Sequence, residues 1–268
     1  MALIECRFFS EVLGEDTSMF VIIPTITFEE VMQRKQANYR TNAKYQTLYL
    51  LHGLSDDHSS WLRNTSIERY AQEKCLAVVM PAAGKSFYAD MAHGSRYWTF
   101  ISEEIPRVAR SLFPLSEKRE DNFAAGVSMG GYGAFKLALR KPESFAAAAS
   151  LSGAADLSYM VSMAKQQPPM KKMLENIFGN LDEIIGSDND LIHLLKKLKN
   201  ENADIPKLYQ CCGTEDPGNP LIVNFNAFAK DLGIDLTFED GPGGHTWAYW
   251  DSSIQRVLEW LPLKNTTV

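Results

Sequence analysis

No stretch of this 268-residue sequence approaches the ~18 consecutive apolar residues that a membrane-spanning helix needs, so no helical membrane span is expected. Its opening, MALIECRFFSEVLGEDTSMF, lacks a basic segment followed by an apolar core, and without that pattern no export leader is expected. A cytoplasmic protein is the resulting expectation. Cysteine is scarce: Cys6, Cys75, Cys211 and Cys212 are the four in the chain, and none forms a C-x-x-C pair. Cys211 and Cys212 sit together in the strand-like run KLYQCCGT, where neighbouring side chains point to opposite faces, so neither a disulfide nor a redox pair is expected between them. Positive charge is also in deficit, with 27 Lys and Arg against 33 Asp and Glu and a net charge of −6. A nucleic-acid surface would need clustered basic side chains, so that class of partner is not expected. There are no internal repeats and no low-complexity tail.

What is present is an ordinary globular composition, 45% hydrophobic and 22% charged, in a chain long enough to cover an extended sheet. Two alternating runs, 3–10 and 17–24, flank the turn-like GED and predict an antiparallel hairpin. After a polar stretch at 29–43 come YQTLYLL, CLAVVMP, NFAAGV, FAAAASLSG and KLYQCCG. These short, near-continuous apolar runs are what strands buried on both faces require. Helical patterns at 66–74, 98–112, 129–140, 221–232 and 246–260 separate them, and LTFEDGPGG adds a last strand and turn. Strand alternating with helix predicts an α/β fold: a mostly parallel sheet with helices on both faces. Residues 1–268 are expected to form a single domain. Residues 154–205 break the rhythm with a Pro168-Pro169 pair, scattered methionines and one helical pattern near 190–200, and are expected to be a small cap insertion over one end of the sheet.

The most informative stretch is NFAAGVSMGGYGAFKLAL. Gly126-Val127-Ser128-Met129-Gly130 is a G-x-S-x-G motif between an apolar strand and a helix-forming run. Such a sharp strand-to-helix turn exposes a strained serine hydroxyl, with the helix N-terminus behind it to favour a negative oxygen. A serine needs a base, and in folds of this kind the chain order is nucleophile, acid, histidine. Of the five histidines only His193 and His245 follow Ser128. His193 lies at helical spacing in NDLIHLLKKLK, whereas His245, in GPGGHTWAYW between the last strand and the last helix, is the expected base. The acid should follow the strand KLYQCCGT, which leaves Glu215 or Asp216. Pro217 favours an extended turn at its predecessor, so Asp216 is the expected partner and Glu215 a bystander.

Acyl chemistry also needs two donors to a developing oxyanion. The N–H of Met129 is one. The N–H of Leu54, in LYLLHGLSDDHSSW, is the expected other. The same loop holds His52, Asp56, Asp57 and His58, but no further ligand cluster accompanies them, so no metal and no cofactor are expected. Trp98, Trp247 and Tyr88 fit either a small acyl pocket or plain core.

From about residue 45 onward these stretches, with FYAD, ISEEIPRVARSLFP, SLSGAADL, CGTED and GGHTWAYW, resemble the esterase D superfamily. That group includes S-formylglutathione hydrolases, small tributyrin or acetyl esterases and feruloyl-type carbohydrate esterases. SMGGYG and H-x-W-x-x-W bring the chain nearest the intracellular tributyrin esterases. The resemblance implies an α/β-hydrolase fold, with Ser128, Asp216 and His245 as triad and Leu54 and Met129 as oxyanion donors. It implies a serine carboxylesterase for short acyl chains, with a small-molecule ester as partner; self-association into a homo-oligomer stays open. Feruloyl or acetyl-xylan esterase, S-formylglutathione hydrolase and acyltransferase are the alternatives, and a non-catalytic binding protein on the same fold is disfavoured by the presence of both serine and histidine. The loop HGLSD in place of the S-formylglutathione hydrolases' cysteine-containing SGLTC argues for simple esters over glutathione thioesters.

Overall fold

The computed structural model describes residues 1–33 and 44–264, so most of the polar stretch at 29–43 lies outside the described residues. In chain order the elements are β1 (Ala2–Ser10), β2 (Glu15–Ile23), α1 (Phe28–Met32), β3 (Thr47–Leu51), α2 (Ser60–Asn64), α3 (Ile67–Glu73), β4 (Ala77–Pro81), α4 (Tyr97–Thr99), α5 (Ile105–Leu112) and β5 (Asn122–Val127). They continue with α6 (Met129–Arg140), β6 (Ala147–Leu151), α7 (Leu157–Ala164), α8 (Pro168–Phe178), α9 (Leu191–Asn200), β7 (Lys207–Gly213), α10 (Asn219–Asp231), β8 (Leu236–Gly241) and α11 (Trp247–Trp260). The strands form one eight-stranded sheet in the order β1-β2-β4-β3-β5-β6-β7-β8. β1 and β2 pair antiparallel, β2 joins β4 antiparallel, and every later pairing is parallel.

The apolar runs become strands because both sheet faces are covered. β3, β4, β5 and β6 are buried along their whole length. On one face α2, α3 and α11 pack through Trp61, Ile67, Tyr70, Trp250 and Ile254. On the other lie α5 to α10, with Ile105, Phe135, Leu157, Leu174, Leu195 and Phe225. After β3 the chain order runs outward to β4 on one side and to β5 on the other. A crevice opens outside the carboxyl ends of strands at such a reversal, which is where ligands bind in open α/β sheets.

Two elements differ from the sequence-based expectation. The helix expected at 98–112 is interrupted by a π turn at Phe100–Glu104. Pro106 has no N–H for the Ser102 carbonyl, and the wider turn absorbs the mismatch. The turn also delivers the buried Glu104 carboxylate to the hairpin, where it accepts from the Ser10 hydroxyl and from the Glu11 N–H at 2.8 Å. The second difference is in residues 154–205, which contain α7 and α8 as well as the expected α9. Pro168 and Pro169 do not break a helix; they start α8, where a missing N–H costs no intrahelical bond. Met160 is buried in the core and Met170 and Met173 pack against it, so these methionines are helix packing; Met163 is exposed.

Candidate active site

At the end of β5 the backbone of Ser128 adopts φ 54°, ψ −118°, a conformation that a non-glycine residue holds only when its surroundings enforce it. The enforcement is visible: the Ser128 N–H donates to the Leu151 carbonyl at 2.8 Å, tying the turn to β6. A Cβ at Gly130 would collide with the Leu51 carbonyl, and one at Gly126 with the Gly130 backbone. Both glycines are therefore required by close approach, and the turn is as tight as the motif demands. α6 begins at Met129, so its free N–H groups point at the serine.

The expected acid and the expected base meet at the same end of the sheet. His245 Nδ1 donates to Asp216 Oδ2 at 2.8 Å, and Asp216 Oδ1 accepts from the Gly218 N–H at 2.8 Å. The Asp216 side chain is 1% exposed and that of His245 39%, so the imidazole reaches out from a buried anchor. Burial raises the Asp216 pKa, but the His245 proton, the Gly218 N–H and the Ser152 hydroxyl outweigh it and hold the carboxyl below its ordinary value. Glu215 is exposed; its backbone N–H donates to Gly243 at 2.9 Å and joins the acid loop to the histidine loop. Among the described residues Ser128 Oγ makes no hydrogen bond and His245 makes only the one to Asp216.

Two further residues, missed by sequence reasoning, complete this corner. Trp250 Nε1 donates to Ser152 Oγ at 3.1 Å, and the same indole meets the His245 ring edge-on at 4.8 Å. Trp247 packs edge-on between Trp61 and Trp250. Trp250 is the last residue of H-x-W-x-x-W, one helical turn beyond Trp247, and that spacing was the available signal.

Around the expected oxyanion donors, the loop after β3 is held by contacts to His52, Gly53 and Asp56. His52 is buried, and its Nε2 accepts from the Ala83 N–H at 2.9 Å. The ring proton therefore sits on Nδ1, which donates to the Gly53 carbonyl at 2.7 Å. The Tyr88 hydroxyl holds the His52 carbonyl at 2.9 Å, and the Gly53 N–H faces Asp56 Oδ2 at 3.3 Å. In a trans peptide the N–H opposes the C=O, so the Leu54 N–H is turned away from the imidazole. Among the described residues the N–H groups of Leu54 and Met129 carry no hydrogen bond. Burial lowers the His52 pKa and keeps the ring neutral.

The rest of the expected constellation separates. Tyr88 is wholly buried behind the loop, and Trp98 lies under Lys136 and Arg140, so both are core. His193 is a half-buried residue of α9. Cys211 and Cys212 are buried, and burial pushes their thiols up to about 11 and about 12, where neither is a ready thiolate. Among the described residues no three His, Cys, Asp or Glu side chains come together to hold a metal ion, and no helix is long and apolar enough to cross a membrane.

A family profile described as putative esterase matches residues 31–261. An acetyl esterase of Caldicellulosiruptor saccharolyticus is 33% identical over 269 aligned residues, covering 97% of this chain and 98% of that protein. Among solved structures, FphF of Staphylococcus aureus, a fluorophosphonate-binding serine hydrolase with substrate bound, is 39% identical with a TM-score of 0.85, covering 97% of this chain and 98% of that one. The S-formylglutathione hydrolase FrmB of Staphylococcus aureus, as apoenzyme, is 38% identical with a TM-score of 0.82, at the same coverage.

Proposed function

Given that this chain belongs to the esterase family and is a serine carboxylic ester hydrolase of α/β-hydrolase fold, we propose that it cleaves short-chain acyl esters through an acyl-enzyme on Ser128. The observation that carries the assignment is the His245 to Asp216 hydrogen bond at 2.8 Å, formed at the end of the sheet where the strained Ser128 turn opens. Ser128 Oγ attacks the ester carbonyl while His245 Nε2 takes its proton, and Asp216 stabilises the imidazolium. The carbonyl oxygen becomes an oxyanion facing the N–H groups of Leu54 and Met129, a stabilisation of roughly 3 kcal/mol per donor. The tetrahedral intermediate collapses as His245 protonates the departing alcohol. Water then gives a proton to His245 and its oxygen to the acyl carbon, and the second collapse returns the proton to Ser128 and frees the acid.

The finer assignment is to the small tributyrin or acetyl type, acting in the cytoplasm, with residues 154–205 as a cap. Support for the cap comes from where the insert leaves the sheet: directly after Ser152, with Asp156 capping the first turn of α7 at the site's end of β6. The test is a nitrophenyl ester series from acetate to octanoate with acetylated xylan and methyl ferulate alongside, and fluorophosphonate labelling of wild type and Ser128→Ala. A rate maximum at long chains, or equal labelling of the variant, would overturn the reading. A second reading, thioester hydrolysis on the same acyl-enzyme, is favoured by the 38% identity to FrmB. Turnover of S-formylglutathione faster than of any nitrophenyl ester would establish it.

A further inference from the structure

β1 is the terminal strand of the sheet, paired along all nine residues with β2 on one side. Among the described residues nothing pairs with its outer edge. Nine unpaired positions without a proline, a lysine or a bulge form an edge of the kind that proteins ordinarily blunt. Its side chains alternate. Leu3, Glu5, Arg7 and Phe9 face outward, Leu3 and Phe9 being 42% and 66% exposed, while Cys6 and Phe8 pack against the core.

We propose that this edge pairs with the β1 edge of a second copy of the chain, antiparallel and centred on Cys6, joining two eight-stranded sheets into one. The argument is self-complementarity. A dyad through Cys6 sets Glu5 opposite Arg7 and Arg7 opposite Glu5, and sets Leu3 opposite Phe9 at both ends, all on the outward face. The two charges already meet within one strand, Arg7 Nε donating to Glu5 at 2.9 Å, so their heads lie at one level on one face. Neighbouring registers fail. A shift of one residue would turn outward side chains inward. A dyad on Glu5 places two carboxylates face to face, and a dyad on Arg7 two guanidiniums. In-register parallel pairing opposes like charges at both positions. Such an interface is isologous, the commonest kind in soluble oligomers. Because the joined sheets run in opposite directions, the two active sites open at opposite ends and neither obstructs the other.

The test is sedimentation velocity of the full chain across the micromolar range, with copper-phenanthroline oxidation as a second reading. Wild type is expected to dimerise with concentration. Glu5→Arg and Arg7→Glu, each creating two like-charge pairs per dimer, should each weaken association about tenfold or more, and Glu5→Arg/Arg7→Glu together should restore it. The two Cys6 Cα atoms would lie about 4.5–5.5 Å apart, within disulfide range, so oxidation should give a covalent dimer that Cys6→Ser abolishes and Cys75→Ser does not. Ester turnover should be unchanged in all variants. A monomer at every concentration, a dimer indifferent to both single reversals, or a double variant no better than the single ones would overturn the proposal.

Discussion

His52 Nδ1 lies 2.7 Å from the Gly53 carbonyl oxygen, a contact that turns the Gly53–Leu54 peptide so that its N–H faces away from the imidazole. In the proposed mechanism the histidine thereby positions the Leu54 oxyanion donor and takes no direct part in the reaction. Replacing it with alanine is expected to lower kcat by about 10²-fold with little change in KM, because the donor acts on the transition state. His52→Asn, whose amide nitrogen stands near the place of Nδ1, should recover part of the loss. Steady-state kinetics on nitrophenyl acetate decide: a KM effect alone would show that the loop binds rather than stabilises.

Asp216 and Glu215 are adjacent in sequence but sit in opposite environments, one carboxylate buried against His245 and the other in solvent. Asp216→Asn is expected to cost roughly 10³–10⁴-fold in kcat, since the amide cannot stabilise the imidazolium. Glu215→Gln should stay within about twofold of wild type. Equal losses from both would mean that the loop, and not one carboxylate, matters.

The same carboxylate makes a pH signature in stability. Its native pKa is held below the ordinary value, so ionisation adds stability that is fully present above the ordinary carboxylate range and is lost as pH falls through the depressed native value. The gap in Tm between wild type and Asp216→Asn should therefore narrow between neutral pH and about pH 3. A gap constant with pH would contradict the linkage.

Lys136 gives the opposite slope. It is buried on α6, its Nζ donating to the Tyr88 carbonyl at 3.0 Å and to Asn189 Oδ1 at 2.7 Å, over the rings of Trp98 and Tyr132. Burial depresses its pKa well below the ordinary lysine value, with Arg140 pushing the same way and Asp90 and Asp188 opposing. As pH falls below about 10.4 the unfolded chain takes up a proton that the fold resists, and the native state loses stability. Wild type should thus gain on Lys136→Met between about pH 7 and pH 10, read from urea midpoints; an unchanged difference would refute it.

The sheet was legible because β3 to β7 are buried on both faces, which forces near-continuous apolar runs into the sequence. The placement of Ser128, Asp216 and His245 just beyond β5, β7 and β8 was legible because the apolar runs before them mark those strand ends. The supports were not. Ala83 to His52, Tyr88 to His52 and Trp250 to Ser152 are contacts across 31, 36 and 98 residues, and nothing local marks their partners. α8 was hidden for a different reason: its two prolines signal a break in mid-helix but a start in the first turn. The caps Asp156 and Asp190, each accepting two N–H bonds from the first turn of its own helix, were signals in plain composition that sequence reasoning missed.

Ser152 offers the sharpest separation of structure from catalysis at this site. Its hydroxyl accepts from the buried Trp250 Nε1 and faces the Asp216 carboxylate. Ser152→Ala strands an indole N–H in the core, which costs about 1–3 kcal/mol, and removes one donor from the acid. Trp250→Phe removes the indole donor but keeps a ring edge near His245. In chemical denaturation the double variant should therefore lose less than the sum of the singles, since the alanine no longer leaves a donor unpaired. In kinetics, Ser152→Ala should lower kcat modestly, on the order of tenfold, by loosening Asp216 and with it His245. Strict additivity in stability would show that the indole hydrogen bond holds nothing in place, and Trp250 would then count as packing alone.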